Sequence, residues 1–186
     1  MSGERGPAGP DADARRAREA GARAADGRAE RQRAADILDL QEGRGAVPLL
    51  DAEGIAALLR STRRIAVVGA SGDPSRPSHD VMATLLAAGY DCVPINPNET
   101  AVLGRAAYPS LAAATEATGR FDLVDVFRRP EACPSVAQEA AAAGAGALWL
   151  QLGVVSWEAA RIAGEAGLPV VMDRCTAIEV RRIGRR

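Results

Sequence analysis

The chain has 186 residues, 47% of them apolar, enough for one ordinary domain with a real core plus an extension. Its formal net charge of −1 gives no global attraction to nucleic acid or to an anionic membrane. All 23 Lys+Arg residues are arginine and His79 is the single histidine, which removes a Walker-type lysine, lysine-based catalysis and a His-rich metal site. No GxSxG elbow accompanies His79, so a Ser-His-Asp triad has no support either. No run approaches the roughly 18 apolar residues of a membrane span, and the N-terminus lacks the apolar centre of a signal peptide, so a cytoplasmic location is the default expectation. Cys92, Cys133 and Cys175 are scattered without a CxxC pair and read as reduced and structural.

In chain order, residues 1–36 come first. After Met1 they hold no large apolar side chain until Ile37, and their arginines are interspersed with acids. Such a segment cannot bury enough apolar area to offset its ordering entropy, so 1–48 is expected to be a disordered or transiently helical extension to a domain over 49–186. Ile37, Leu38 and Leu40, and then Leu49 to Leu59, read as short helices, the second capped by Asp51. Strands are predicted at 65–69, 91–96, 122–127, 147–152 and 169–173. Helices are predicted near 78–88, 110–117, 131–143, 156–166 and 176–183, with Gly89, Gly144 and Gly167 placed as C′ residues. This βα alternation predicts a Rossmann-like, doubly wound α/β domain with about five parallel strands.

The most informative stretch is Ile65 to His79, IAVVGASGDPSRPSH: an apolar strand, a Gly/Ser/Pro/Arg loop and a helix start. Gly69 permits a sharp turn and close approach of a ligand, Ser71 offers a hydroxyl, Arg76 a fork of donors, and Ser78 stands where an N-cap would precede Val81 and Leu85. With the helix dipole behind them, these groups describe a cradle for phosphate. Ligands of such sheets bind at the carboxyl ends of the strands, here Gly69–Ser71, Asn96–Asn98, Phe127–Arg129, Gln151–Gly153 and Asp173–Cys175. A dinucleotide site needs GxGxxG and an acidic residue ending the second strand. This chain has GASGDP and Asn96-Pro97-Asn98, which disfavours NAD and leaves CoA or NADP.

The blocks VVGASGDPSRPSH, GYDCVPINPNE, LGRAAYPSL, DLVDVFRRPE, LWLQLGV and GLPVVMDRC resemble, in this order and spacing, the small bacterial CoA-binding proteins. That family is related to the N-terminal domain of succinyl-CoA synthetase α subunits and of NDP-forming acyl-CoA synthetases. The resemblance covers about residues 60 to 182. It implies that Gly69, Ala70, Ser71, Arg76, Pro77 and Ser78 hold CoA phosphates, and that Pro94, Ile95, Asn96 and Pro97 lie beside the adenosine. Val126, Phe127, Arg128 and Arg129 would flank the ligand from the third strand, and Gln151 and Gly153 would border the pantetheine arm.

Bland roles stand beside these. Arg128 and Arg129 have Asp125, Glu131 and Asp173 as candidate ion-pair partners. Trp149 reads as core, Trp157 as core or interface, His79 as a helix-end residue and Cys175 as packing. With 13 residues after Asp173, the second domain that synthetases require finds no room. The reading is therefore a non-catalytic module that binds CoA or an acyl-CoA, with a protein partner possible. Two alternatives differ in class: an NADP- or NAD-binding oxidoreductase or redox sensor, and an assembly scaffold acting through the N-terminal tail.

Overall fold

The apolar run after Arg64 forms β1 (Arg64–Val68), whose alternation sends Ile65 and Val67 to one face of the sheet and Ala66 and Val68 to the other. A computed structural model describes residues 10–45 and 47–184. After β1 come β2 (Asp91–Ile95), β3 (Ala101–Val102), β4 (Arg105–Ala106), β5 (Leu123–Val126), β6 (Leu148–Leu150) and β7 (Val170–Val171). Five of these make a parallel sheet in the order β2-β1-β5-β6-β7, while β3 and β4 form a separate antiparallel hairpin. The order reverses between β1 and β5, which is where a doubly wound sheet opens a crevice at its carboxyl edge. Both outer strands are covered. The Tyr108 segment pairs with β2, and the Leu50 N–H donates to the Val170 carbonyl on β7.

Helices α2 (Ala52–Ser61), α3 (Pro77–Ala87) and α7 (Thr176–Arg182) cover the face holding Ile65, Val67 and Trp149, burying Ile55, Leu59, Met82, Leu85 and Val180 there. Helices α4 (Leu111–Thr118), α5 (Cys133–Ala142) and α6 (Trp157–Glu165) cover the other, where Ala137, Ala140, Ala159 and Ala160 let backbones approach Val126 and Leu148 closely. The sheet is thus buried on both faces, as its mostly apolar strands require.

Every predicted strand and helix of the domain is present, with shifts at the ends. Asp51 caps α2, its carboxylate accepting from the Gly54 N–H at 2.8 Å. Gly89, Gly144 and Gly167 all take positive φ just past a helix. Three details differ. Helix α3 starts at Pro77 with Arg76 as its N-cap, so Ser78 is a buried first-turn residue rather than the cap. The segment 131–143 opens as a 3-10 turn over Pro130–Ala132 before α5, with Pro134 near the start of that helix, where its missing N–H costs nothing. The β3–β4 hairpin, turning through Leu103 and Gly104 at positive φ, is too short to leave a periodic signal.

Where composition predicts a disordered or transiently helical extension, Pro10–Gln41 form α1, exposed along most of its length. Its Ala and Arg content favours helix, and its last turns are tied to the domain. The Trp157 indole N–H donates to the Asp36 carbonyl at 3.0 Å, and Arg33 reaches Glu131 at 2.5 Å. Residues 1–9 of the extension lie outside the described residues.

Candidate functional site

The carboxyl ends of β1, β2, β5 and β6 and the first turn of α3 surround a cavity of 780 Å³, within the usual range for a small-molecule site. Gly69, Ser71, Arg76, Pro77, Ser78, Asn96, Phe127, Arg128, Arg129, Gln151 and Gly153 all line it. The remaining residues named from the sequence do not. Ala70 is wholly buried in the core, Pro94, Ile95 and Val126 are buried within their strands, and Pro97 is exposed outside the wall. His79 also stands outside the lining.

The glycine loop has a structural reason the sequence did not reveal. Gly69 has φ +88°, and a Cβ there would lie 2.4 Å from the Phe127 carbonyl oxygen. The glycine is needed for β5 to pass, so close approach of a ligand is not its only reason. Beyond it, Glu99 leans onto the loop, its Oε1 accepting from the Gly72 N–H at 2.9 Å and the Ser71 hydroxyl at 3.2 Å. The end of the second strand, Asn96-Pro97-Asn98, holds no acid, as expected, but a carboxylate just beyond it reaches the loop. Glu99 lies three residues past Asn96 in sequence, and the turn there, with Glu99 N–H donating to the Asn96 carbonyl, folds it back. Asn96 itself ties the two strand ends together, its side-chain amide donating to the Ala70 carbonyl at 2.7 Å.

Arginines dominate the wall. The carboxylate nearest Arg76 is Asp73 at 3.9 Å, and among the described residues neither Arg128 nor Arg129 has a carboxylate within 4 Å. The pairings considered for them do not form. Asp125 is enclosed, Glu131 is taken by Arg33, and Asp173 accepts from the Gly153 N–H at 2.7 Å. No Asp or Glu lines the cavity, so three guanidinium groups face it, with Asp73 beside Arg76 outside the lining.

Below the wall, β5 carries the fully buried Asp125. It accepts from Gln151 Nε2 at 2.7 Å and from the Thr176 hydroxyl at 2.9 Å, while Gln151 Nε2 also donates to Thr176 at 2.6 Å. Burial pushes the Asp125 carboxyl up to about 7, with the bonds from Gln151 and Thr176 pulling the other way. Both amide protons of Gln151 are thereby spent, which leaves its carbonyl oxygen as the acceptor of a side chain that lines the cavity.

Sequence reasoning missed Val81, Pro130 and Val154 as cavity residues, and missed Asp125 as their support, whereas Leu152 and Cys175 fall within the strand ends it named. Cys175 was assigned to packing, yet it lines the cavity as well as touching the core. Cys92 and Cys133 are different: burial pushes both thiols up to about 12, consistent with inert packing. Trp149 is core, its indole N–H donating to the Arg174 carbonyl at 2.6 Å. Among the described residues no group of three or more His, Cys, Asp or Glu is placed to hold a metal ion, and no helix is long and apolar enough to cross a membrane.

Comparison with known proteins agrees with this geometry. YneT, an uncharacterized protein of Bacillus subtilis (strain 168), is 41% identical over 124 residues, covering 67% of this chain and 90% of its own. A solved hypothetical protein from Pyrococcus horikoshii OT3 superposes with a TM-score of 0.68 at 37% identity, over 72% of this chain and 92% of that one. The dinucleotide-forming acetyl-coenzyme A synthetase 1 of Ca. Korarchaeum cryptofilum shares the fold at 24% identity and a TM-score of 0.54, over 62% of this chain and 28% of its own. Residues 63–181 match the CoA binding domain, a span that holds the five-stranded sheet and every residue of the arginine-lined cavity, and the chain therefore belongs to that family.

Proposed function

We propose that this chain binds CoA, free or acylated, in the cavity at the carboxyl ends of its sheet, as a ligand it holds rather than transforms. The observation that carries the reading is the wall itself, three arginines and no carboxylate in a chain of net charge −1. CoA brings a pyrophosphate and a ribose phosphate, and each needs cationic or N–H donors. In this reading Arg76 and the start of α3 take the pyrophosphate, and Arg128 and Arg129 meet phosphate from β5. The pantetheine arm runs past Phe127, Gln151 and Val154, where the Gln151 carbonyl accepts from an arm amide. Asn96 is the second-strand residue placed to meet the adenosine. The absence of Asp, Glu and His from the lining supports holding over acid–base chemistry.

One observation favours a second reading, an NAD- or NADP-binding role: Glu99 brings a carboxylate to the loop beside β2, where a ribose hydroxyl pair is held in dinucleotide sites. Isothermal titration of the full chain with CoA, ADP, NAD and NADP decides between them. CoA is expected to bind more tightly than ADP and than either nicotinamide nucleotide. Arg76→Ala is expected to weaken CoA by about 10- to 150-fold, the value of a charge-assisted contact at about 1.5–3 kcal/mol. Preference for NAD or NADP, or an unchanged affinity in Arg76→Ala, would overturn the assignment.

A further inference from the structure

A second cavity of 530 Å³ adjoins the first, and the two share the side chains of Leu152 and Cys175. It lies past β7, the last strand of the sheet, between α7, the segment entering α2 and the end of α1. Its walls carry Leu40, Leu50, Ile55 and Ile178, from three separate stretches of chain, beside the charged side chains of Arg174 and Glu179. Leu152 is 63% exposed at the junction and Ile178 is 43% exposed on the far side, an arrangement that leaves apolar surface uncovered along one path. Of the two acids in the lining, Glu179 accepts from Arg182 at 2.7 Å and from Arg174 at 3.5 Å, and Asp173 accepts from the Gly153 N–H at 2.7 Å. Asp173, holding the Gly153 N–H, keeps the loop after β6 against the end of β7, and so fixes the shared wall.

The path crosses the sheet in one direction. From β1 to β7 there are three strand spacings, about 14 Å at 4.8 Å each, which run from the Arg76 loop past Phe127 and Gln151 to Cys175. A ligand with its phosphates at β1 and its arm over β5 and β6 delivers its sulfur end to the Leu152–Cys175 junction. We infer that the second cavity receives the acyl chain of an acyl-CoA, so that the ligand of this chain is a CoA thioester with an apolar acyl group of medium length. This inference rests on the CoA reading above and adds the identity of the acyl end.

The test is titration of the full chain with CoA, acetyl-CoA, butyryl-CoA and octanoyl-CoA. Each methylene buried contributes at most about fourfold in affinity, and the cavity is partly open, so octanoyl-CoA is expected to bind at least tenfold more tightly than CoA, with the others in rank between. Ile178→Asp and Leu40→Asp, placed on different elements that line only the second cavity, should each flatten that series while leaving the affinity for unacylated CoA within twofold of wild type. Retained CoA affinity also shows that each variant is folded. A series that is flat in the wild-type chain, or a gain that persists in both variants, overturns the acyl assignment and leaves CoA binding standing. Failure of CoA and all its thioesters to bind overturns both.

Discussion

The two ends of the parallel sheet use the same residue types to opposite effect. At the amino end arginines are consumed by the fold. Arg64 donates to Asp91 at 3.1 Å and to the Thr118 carbonyl at 2.6 Å, and its guanidinium lies over the Phe121 ring at 5.1 Å. Arg105 meets the same Asp91, Arg120 holds the Gly144 carbonyl at 2.9 Å, and Asp122 accepts from the N–H groups of Arg63 and Arg64. At the carboxyl end Arg128 and Arg129 find no carboxylate within 4 Å among the described residues, and Arg76 has only Asp73 at 3.9 Å. An arginine with internal partners adds stability. One without them keeps its donors available, and that difference sets the two ends of the sheet apart.

The largest expected effect concerns Asp125, the charge beneath the carboxyl end. Its carboxyl titrates near 7 in the folded chain and at an ordinary 3.8 when unfolded. The folded state therefore holds the extra proton between those values, and stability falls as pH rises through that window, by up to about 4 kcal/mol. Asp125→Asn should remove the dependence and be the more stable protein at pH 8, as read from urea unfolding at pH 5 and pH 8. Equal slopes in the two proteins would show that Asp125 is not the group responsible.

Next in size is Arg64→Ala at the amino end. It leaves two carbonyls short of a donor and uncovers Phe121, so it should cost about 1–3 kcal/mol of stability while CoA affinity stays the same. Loss of CoA affinity at unchanged stability would dissolve the contrast between the ends. The smallest effect is expected from Glu99→Gln. Removing a carboxylate that sits on loop donors should tighten CoA about threefold by relieving repulsion with phosphate. Weaker binding would instead identify Glu99 as a ligand contact and favour the dinucleotide reading.

Much of the architecture was legible because it is local. The run IAVV, the C′ glycines and the Asp51 cap each act within a few residues, and periodicity recovers them. The loop from Gly69 to Ser78 was legible for the same reason, since its glycine, serine and arginine, Gly69, Ser71 and Arg76, lie within eight residues of one another. The rest of the site was not. Val81 and Val154 join the wall only through the tertiary fold, and Asp125 meets Gln151 and Thr176 from 26 and 51 residues away. Strand residues carried over from the family pattern, Pro94, Ile95 and Val126, sit at the carboxyl ends of their strands but are buried and do not line the cavity.

The sequence by itself determined the βα order, the position of the Gly/Ser/Arg loop and the absence of lysine, because these depend on residue type and spacing along one stretch of chain. Tertiary structure alone decided which arginines are consumed by the fold, that Glu99 rests on the loop, and that a second cavity opens beyond Leu152 and Cys175. Those outcomes depend on which distant side chains come within about 3–4 Å, and pairing across a sheet is set by strand order, which no local spacing encodes.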